Sequence, residues 1–330
     1  MNRSTRCWMR WTRSGDLAVW PSMRSRSRLL HILGSARVLL ETTEEKHGKS
    51  ILFSGDIGNS GRALLRAPRT PAAADYVVLE STYGDRLHRS FAASVDEFFE
   101  AIHSTLARGG NVLIPTFALE RTQDVLCFLR KGIEQGRLPA NLPVFLDSPM
   151  AISATEIFRR HPECYSSEMR RQFEAGVDPL DVPGLHMTRE TLESIAINRI
   201  KGGAVIMAGA GMCTGGRIRH HLAGNLGNAA AGVIFVGFAA RGTLARRIID
   251  GARSVSIFGE DIPVRAHVYT INGFSAHADQ SELVAWHNRI GGRKATFLVH
   301  GEAQAMEALR PKLGQGRIET PHLNQAFELT

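Results

Sequence analysis

The sequence predicts an α/β fold built mainly on parallel sheet, and three observations carry that expectation. From residue 36 onward, short apolar runs alternate with helix-length amphipathic stretches, as strands do when helices cover both faces of a sheet. The 330 residues, 43% hydrophobic and 22% charged, have a globular composition and enough length for one large or two ordinary domains. Ionisable residues also stand just beyond the carboxyl ends of several of these runs, where ligand sites gather in such sheets.

The opening segment is the exception to the pattern. Residues 1–28 hold three of the four tryptophans and seven arginines against one aspartate, a balance of +6 out of the chain's +8. They show neither strand alternation nor a helical stripe, and they lack the apolar core of a secretory signal. Their Arg- and Ser-rich, acid-poor content suits an organellar transit peptide. The expectation adopted is that the segment is not native to the fold, arising from a mis-assigned start or a stretch read in the wrong frame. With the excess charge placed there, net charge says little about nucleic-acid binding by the rest.

The elements then follow in order. "ARVLLE" and "SILFSGD" read as neighbouring strands joined by the polar turn "TTEEKHGK", and "DYVVLEST" as a third strand ending in Glu80. Residues 92–107 read as a helix, "NVLIP" as a strand and 118–132 as a helix. "PVFLD" is a strand, followed by helices near 150–160 and 189–199. "GAVIMAG" is a strand, 215–223 a helix, "GVIFVG" a strand and 242–250 a helix. "PVRAHVYTI" alternates as a half-exposed strand should, and "ATFLVHG" is a buried strand near the C-terminus. No run of 18 apolar residues is present, which excludes a membrane span. Cys7, Cys127, Cys164 and Cys213 are scattered without metal spacing and read as reduced thiols in a cytoplasmic setting.

Five residues at strand-edge turns form the candidate site: His31, Asp56, Glu80, His277 and His300. Each has a bland explanation alone: a structural histidine, a turn-forming aspartate, a glutamate capping a turn. Together they point to a metal or acid/base site, with the bland readings left open.

"HILGSA", "FSGDIG", "LESTYGDR", "FSAHAD" and "LVHGE", in that order, resemble the β-CASP branch of the metallo-β-lactamase superfamily. "GMCTGGRIRHHL" and "GFAARGTLARRI" look like two further family segments. The branch includes bacterial ribonucleases and the endonuclease subunit of the pre-mRNA cleavage and polyadenylation machinery. The resemblance covers about residues 29–315. It implies an α/β fold in which an incomplete metallo-β-lactamase αββα sandwich carries an inserted β-CASP domain of mainly parallel sheet. The expected division is 29–84 for the first part of the sandwich, 85–275 for the β-CASP domain and 276–330 for the sandwich's C-terminal part.

The resemblance also implies roles. His31 matches a ligand of one zinc, Asp56 the carboxylate bridging two zinc ions, and His300 a ligand of the second. His277 matches the histidine that assists the leaving group, and Glu80 the acidic partner orienting it. Zinc would generate hydroxide at neutral pH and shield phosphoryl charge, while His277, with an ordinary pKa of about 6.5, would protonate the departing ribose oxygen. Single-stranded RNA is the implied partner, with no membrane partner, and homodimers occur in the family.

One family motif is missing. An HxHxDH loop should precede the residue matched by His31, yet none of the thirteen histidines comes before His31 and no HxH occurs anywhere. Three ligands shared between two metals fall short of an ordinary zinc set. The expectation is therefore a zinc-dependent ribonuclease present as an N-terminally truncated or mis-started copy, binding zinc weakly and without substantial nuclease activity as written. The alternative is a catalytically inactive relative acting as an RNA-binding or scaffold protein. The five retained site residues favour truncation. The long insertion between Glu80 and His277 argues against a small-molecule hydrolase. Arg217, Arg219, Arg241, Arg246 and Arg247 are loose candidates for phosphate contact. Phe274 is a candidate for base stacking, with solvated helix faces and a packed core aromatic as the bland readings.

Overall fold

The structure is a computed structural model. It describes residues 23–28, 32, 33, 35, 37–42, 48–59, 64, 65, 73–314 and 316–329. The chain divides into two compact units, one formed by Met1–Gly58, Pro68–Leu87 and His277–Thr330, the other by Asn59–Ala67 and His88–Ala276.

The first unit opens with β1 (Met23–Arg28), β2 (Arg37–Thr42), β3 (Ser50–Phe53) and β4 (Tyr76–Glu80). The strand β1 lies within residues 1–28, where the sequence shows no strand alternation of polar and apolar residues. It pairs antiparallel with β2 over its whole length. "MRSRSR" does alternate, but between Arg and Met or Ser rather than between polar and apolar residues, so a search for apolar alternation passes over it.

The second unit begins with α1 (Phe91–Ala107), which Ser90 caps by accepting from the Ala93 amide at 3.3 Å. There follow β5 (Val112–Pro115), α2 (Arg121–Glu134), β6 (Val144–Leu146) and α3 (Pro149–Arg160), the last with Ser148 as cap and Pro149 in its first turn. Next come α4 (Ser167–Glu174), β7 (Leu185–Met187), α5 (Thr191–Ile197), β8 (Val205–Ala208), α6 (Ile218–Asn225), β9 (Gly232–Val236) and α7 (Leu244–Ile249). The unit closes with a hairpin of β10 (Ser254–Ile257) and β11 (Glu260–Pro263), then β12 (His267–Ile271).

Its main sheet runs β12-β9-β5-β8-β6-β7, and every pairing is parallel. Strands β5, β8 and β9 are buried at every position. This explains their continuous apolar sequences, since both faces are covered. One core here gathers Leu113, Ile206, Val233 and Phe235 of the strands with Ile218, Leu222 and Ile248 of the helices. "PVRAHVYTI" is two strands rather than one. Pro263 has no amide to donate, and the amides of Arg265 and Ala266 both turn to the Leu226 carbonyl, at 2.8 and 3.0 Å.

The chain then returns to the first unit with α8 (Gln280–Asn288), β13 (Ala295–Val299), α9 (Ala303–Leu309) and β14 (Arg317–Glu319). Asp279 and Glu282 cap α8 reciprocally. The completed sheet runs β1-β2-β3-β4-β13-β14, antiparallel through β3 and parallel from β3 onward. One of its cores joins Leu52, Val77, Leu79 and Leu298 to Leu283, Trp286 and Leu309 of the helices. A second cluster joins Ile51, Tyr76, Ala295 and Phe297, and Phe327 and Leu329 from the C-terminal tail pack against it. The fold class is thus α/β with mainly parallel sheet. No helix among the described residues is long and apolar enough to cross a membrane.

Candidate metal centre

The parallel register of β3, β4 and β13 aligns their carboxyl ends, with Glu80 directly beside Val299. Asp56 lies in the turn after β3, Glu80 is the last residue of β4, and His300 follows β13 by one residue. His277 precedes α8 and is drawn in by a bridge to Gly58 and by the Ala278 amide donating to the Ile57 carbonyl at 2.7 Å. One ligand atom from each of Asp56, Glu80, His277 and His300 can be chosen so that all lie within 4.8 Å of one another. Four of the five sequence candidates therefore meet in one place. The fifth, His31, lies outside the described residues.

The four fall into two pairs. Glu80 is almost wholly buried, and its oxygens are engaged. Oε1 accepts from the Ile57 amide, while Oε2 accepts from the Thr82 hydroxyl at 2.7 Å and faces His277 Nδ1 at 3.0 Å. A carboxylate held this way orients the imidazole through Nδ1. Asp56 and His300 form the more open pair, with Asp56 Oδ1 and His300 Nδ1 3.1 Å apart and the side chains 39% and 58% exposed. Two zinc donors at about 2.0–2.1 Å in tetrahedral geometry stand about 3.3 Å apart, so this spacing suits a shared ion. Carboxylate and imidazole are both zinc donors, so the chemistry fits. Among the described residues the group holds four possible donors, of which Glu80 and His277 face each other and Asp56 and His300 face each other.

Local backbone fixes His300 in place. It adopts the left-handed region at φ 52°. The next residue, Gly301, lies so close to β4 that a Cβ there would sit 2.6 Å from the Ser81 carbonyl oxygen. The Ser81 hydroxyl in turn donates to the Val299 carbonyl at 2.7 Å.

Thr82 was not among the sequence candidates. Its hydroxyl donates to Glu80, lies 3.4 Å from His300 Nδ1 and 3.1 Å from the His300 carbonyl, and so ties the two pairs together. Its position two residues past the strand-end Glu80 was the only signal available.

Another strand-end acid, Asp147 after β6, was also missed. It is fully buried and accepts from Thr188 Oγ1 (2.7 Å), Ser194 Oγ (2.6 Å) and Arg217 Nη1 (2.7 Å), with His221 Nε2 2.7 Å away. Burial alone would raise its pKa, but contacts with His221, Ser194, Thr188 and Arg217 outweigh it and hold the carboxyl well below the usual range.

The loose candidates resolve individually. Arg217 belongs to the Asp147 cluster, and its other nitrogen donates to the Arg189 carbonyl. Arg219 lies over the Phe258 ring at 4.4 Å, and Arg246 pairs with Asp250 one helical turn on. Arg241 and Arg247 are exposed. Phe274 is buried against Phe91, Phe98 and Phe128, which removes it as a base-stacking residue. Cys127 and Cys213 are buried thiols whose pKa values are pushed up to about 12, which leaves them protonated and inert.

Comparison with known proteins gives two family matches, a Beta-Casp domain over residues 122–248 and a Zn-dependent metallo-hydrolase RNA specificity domain over 261–321. Among similar proteins is Ribonuclease TTHA0252 of Thermus thermophilus, 41% identical over 279 residues, covering 84% of this chain and 62% of that protein. Transcription termination factor FttA of Methanocaldococcus jannaschii is 34% identical over 289 residues, 82% of this chain and 44% of its own length. Cleavage and polyadenylation specificity factor subunit 3-I of Arabidopsis thaliana is 31% identical over 307 residues, covering 91% and 43%. The chain thus spans between 43% and 62% of the length of these relatives. With both domain matches and five ordered motifs, the chain belongs to the β-CASP branch of the metallo-β-lactamase superfamily.

Proposed function

We propose that this chain is, or forms part of, a zinc-dependent ribonuclease-type phosphodiester hydrolase acting on single-stranded RNA. The observation that carries the reading is the pairing within one cluster: Asp56 facing His300, both partly exposed, beside Glu80 holding His277. In this reading Asp56 and His300 hold metal, with His31 as a further ligand. His277 carries the proton for the departing ribose oxygen, and Glu80 orients it. Zinc, when bound, supplies Lewis acidity toward water and the phosphoryl oxygens. The Thr82 hydroxyl and the Ile57 amide keep the Glu80 carboxylate turned toward His277. The cytoplasm is the compartment we assign, and a homodimer is the assembly to test by light scattering.

A second reading, an inactive RNA-binding or scaffold protein, is favoured by the lack of any HxH in the sequence. One experiment separates the readings. The purified chain is titrated with zinc and assayed for RNA binding and cleavage, beside Asp56→Ala, His300→Ala and His277→Ala. Weak zinc binding that disappears in Asp56→Ala and His300→Ala but persists in His277→Ala is the expected result. Cleavage above background that His277→Ala abolishes establishes the enzyme. RNA binding that ignores zinc and all three substitutions establishes the scaffold. Zinc binding unchanged by Asp56→Ala and His300→Ala overturns the metal centre.

A further inference from the structure

An exposed aromatic ring in the second unit takes no part in the metal centre. Phe117 lies in the loop between β5 and α2 with 44% of its surface open to solvent. One exposed phenylalanine is ordinary. The surroundings of this one are specific. Its ring rests on the backbone of Gly211, in the loop after β8, so closely that a Cβ there would stand 2.8 Å from ring atoms Cδ2 and Cε2. Any larger residue at 211 would displace the ring.

The Phe117 loop is also held from behind. Its carbonyl accepts from the Thr122 amide at 3.3 Å and the Thr122 hydroxyl at 2.7 Å, and the Ala118 carbonyl accepts from Gln123 Nε2 at 3.2 Å. Thr122 and Gln123 are both fully buried. These bonds hold the loop backbone in place while the ring keeps 44% of its surface open to solvent.

The location matters as well. Strands β5 and β9 are neighbours, and the chain leaves β5 toward β6 on one side of the pair but leaves β9 toward β12 on the other. Such a reversal opens a crevice at the carboxyl ends of the strands, where ligands of parallel sheets bind. Phe117 follows β5 at the carboxyl end of this sheet, with its ring turned onto the loop after β8.

We propose that Phe117 is a stacking platform for a base of single-stranded RNA, engaging the flat face of the base without reading its identity. The proposal rests on the RNA reading above. A positioned, solvent-facing aromatic ring offers the π-face on which bases of single strands stack without sequence preference. Loss of one such stack weakens binding about 5- to 150-fold.

The test is fluorescence anisotropy with the full chain, a labelled single-stranded RNA decamer and a matched decamer of abasic riboses. Phe117→Leu keeps the loop apolar but removes the π-face, and Phe117→Trp keeps it. We expect Phe117→Leu to lose at least 5-fold in affinity and Phe117→Trp to lose none. The abasic decamer should bind the unsubstituted chain more weakly than the natural one and be indifferent to Phe117→Leu. Equal binding by Phe117→Leu, or equal binding of both decamers, overturns the platform while leaving RNA binding standing. No RNA binding by the unsubstituted chain overturns both. If Phe117→Leu fails to fold, Phe117→Trp and the abasic decamer decide.

Discussion

His287 shows what burial does to a single ionisable group. It is 3% exposed, its Nε2 lies 2.8 Å from the Thr296 hydroxyl, and the charge of Arg293 is nearby. Burial, and then Arg293, push its pKa down to about 4. In the unfolded chain the ring titrates near 6.5. Between these values the unfolded state takes up a proton that the folded state refuses. Stability from this group is therefore complete above about pH 6.5 and declines as pH falls toward 4. The gap corresponds to about 3 kcal/mol. Urea unfolding measured from pH 7.5 to 4 should show this decline, and His287→Gln should flatten it. An unchanged slope in His287→Gln would rule the residue out. The same scale shows where sequence reasoning stopped. Asp56, Glu80, His277 and His300 were legible because strand ends and family motifs mark them. Thr82 and Asp147 were not, because what distinguishes them is the partners that folding brings within hydrogen-bond distance.

At the scale of elements, the Asp147 cluster joins the end of β6 to the segment after β7, to α5 through Ser194 and to α6 through His221. Removing a buried charge that holds such partners costs about 3–5 kcal/mol. Asp147→Ala should lose that much stability in urea unfolding, while Arg217→Lys should lose less because Arg217 is partly solvated. A loss below 1 kcal/mol in Asp147→Ala would show that the cluster follows the packing rather than fixing it. The parallel strands β5, β8 and β9 were legible because burial on both faces writes itself as unbroken apolar runs. Boundaries were less so. The expected helix 118–132 begins at Arg121, because Thr122 and Gln123 bind the loop carbonyls ahead of it. The break between β11 and β12 depends on the Leu226 carbonyl, a partner far away in sequence. Strand β1 forms through backbone pairing, which needs no apolar pattern.

At the scale of the whole molecule, one cluster on the first sheet depends on the C-terminal tail. Phe327 packs on Phe297 with ring centroids 4.9 Å apart, and the Leu329 carbonyl accepts from Lys49 at 2.8 Å. Without the tail this cluster would lose the cover of Phe327 and Leu329, and exposed apolar sheet invites association. Phe327→Ala should lower stability by about 1–3 kcal/mol, and removal of residues 320–330 should raise light scattering on warming. Unchanged melting and scattering in both would show that the tail is dispensable.

The pairing of β4 with β13 also sets a timetable for synthesis. Glu80 and His277 are 197 residues apart in the chain. At roughly 5–20 residues per second, Glu80 waits about 10–40 s on the ribosome before its partner is made. During that interval the growing polypeptide holds an open-edged sheet, while the second unit is translated in full. The Asp56–Glu80–His277–His300 cluster is therefore a late event, assembled only when the last segments emerge, and a nascent chain stalled before β13 would display that edge to chaperones.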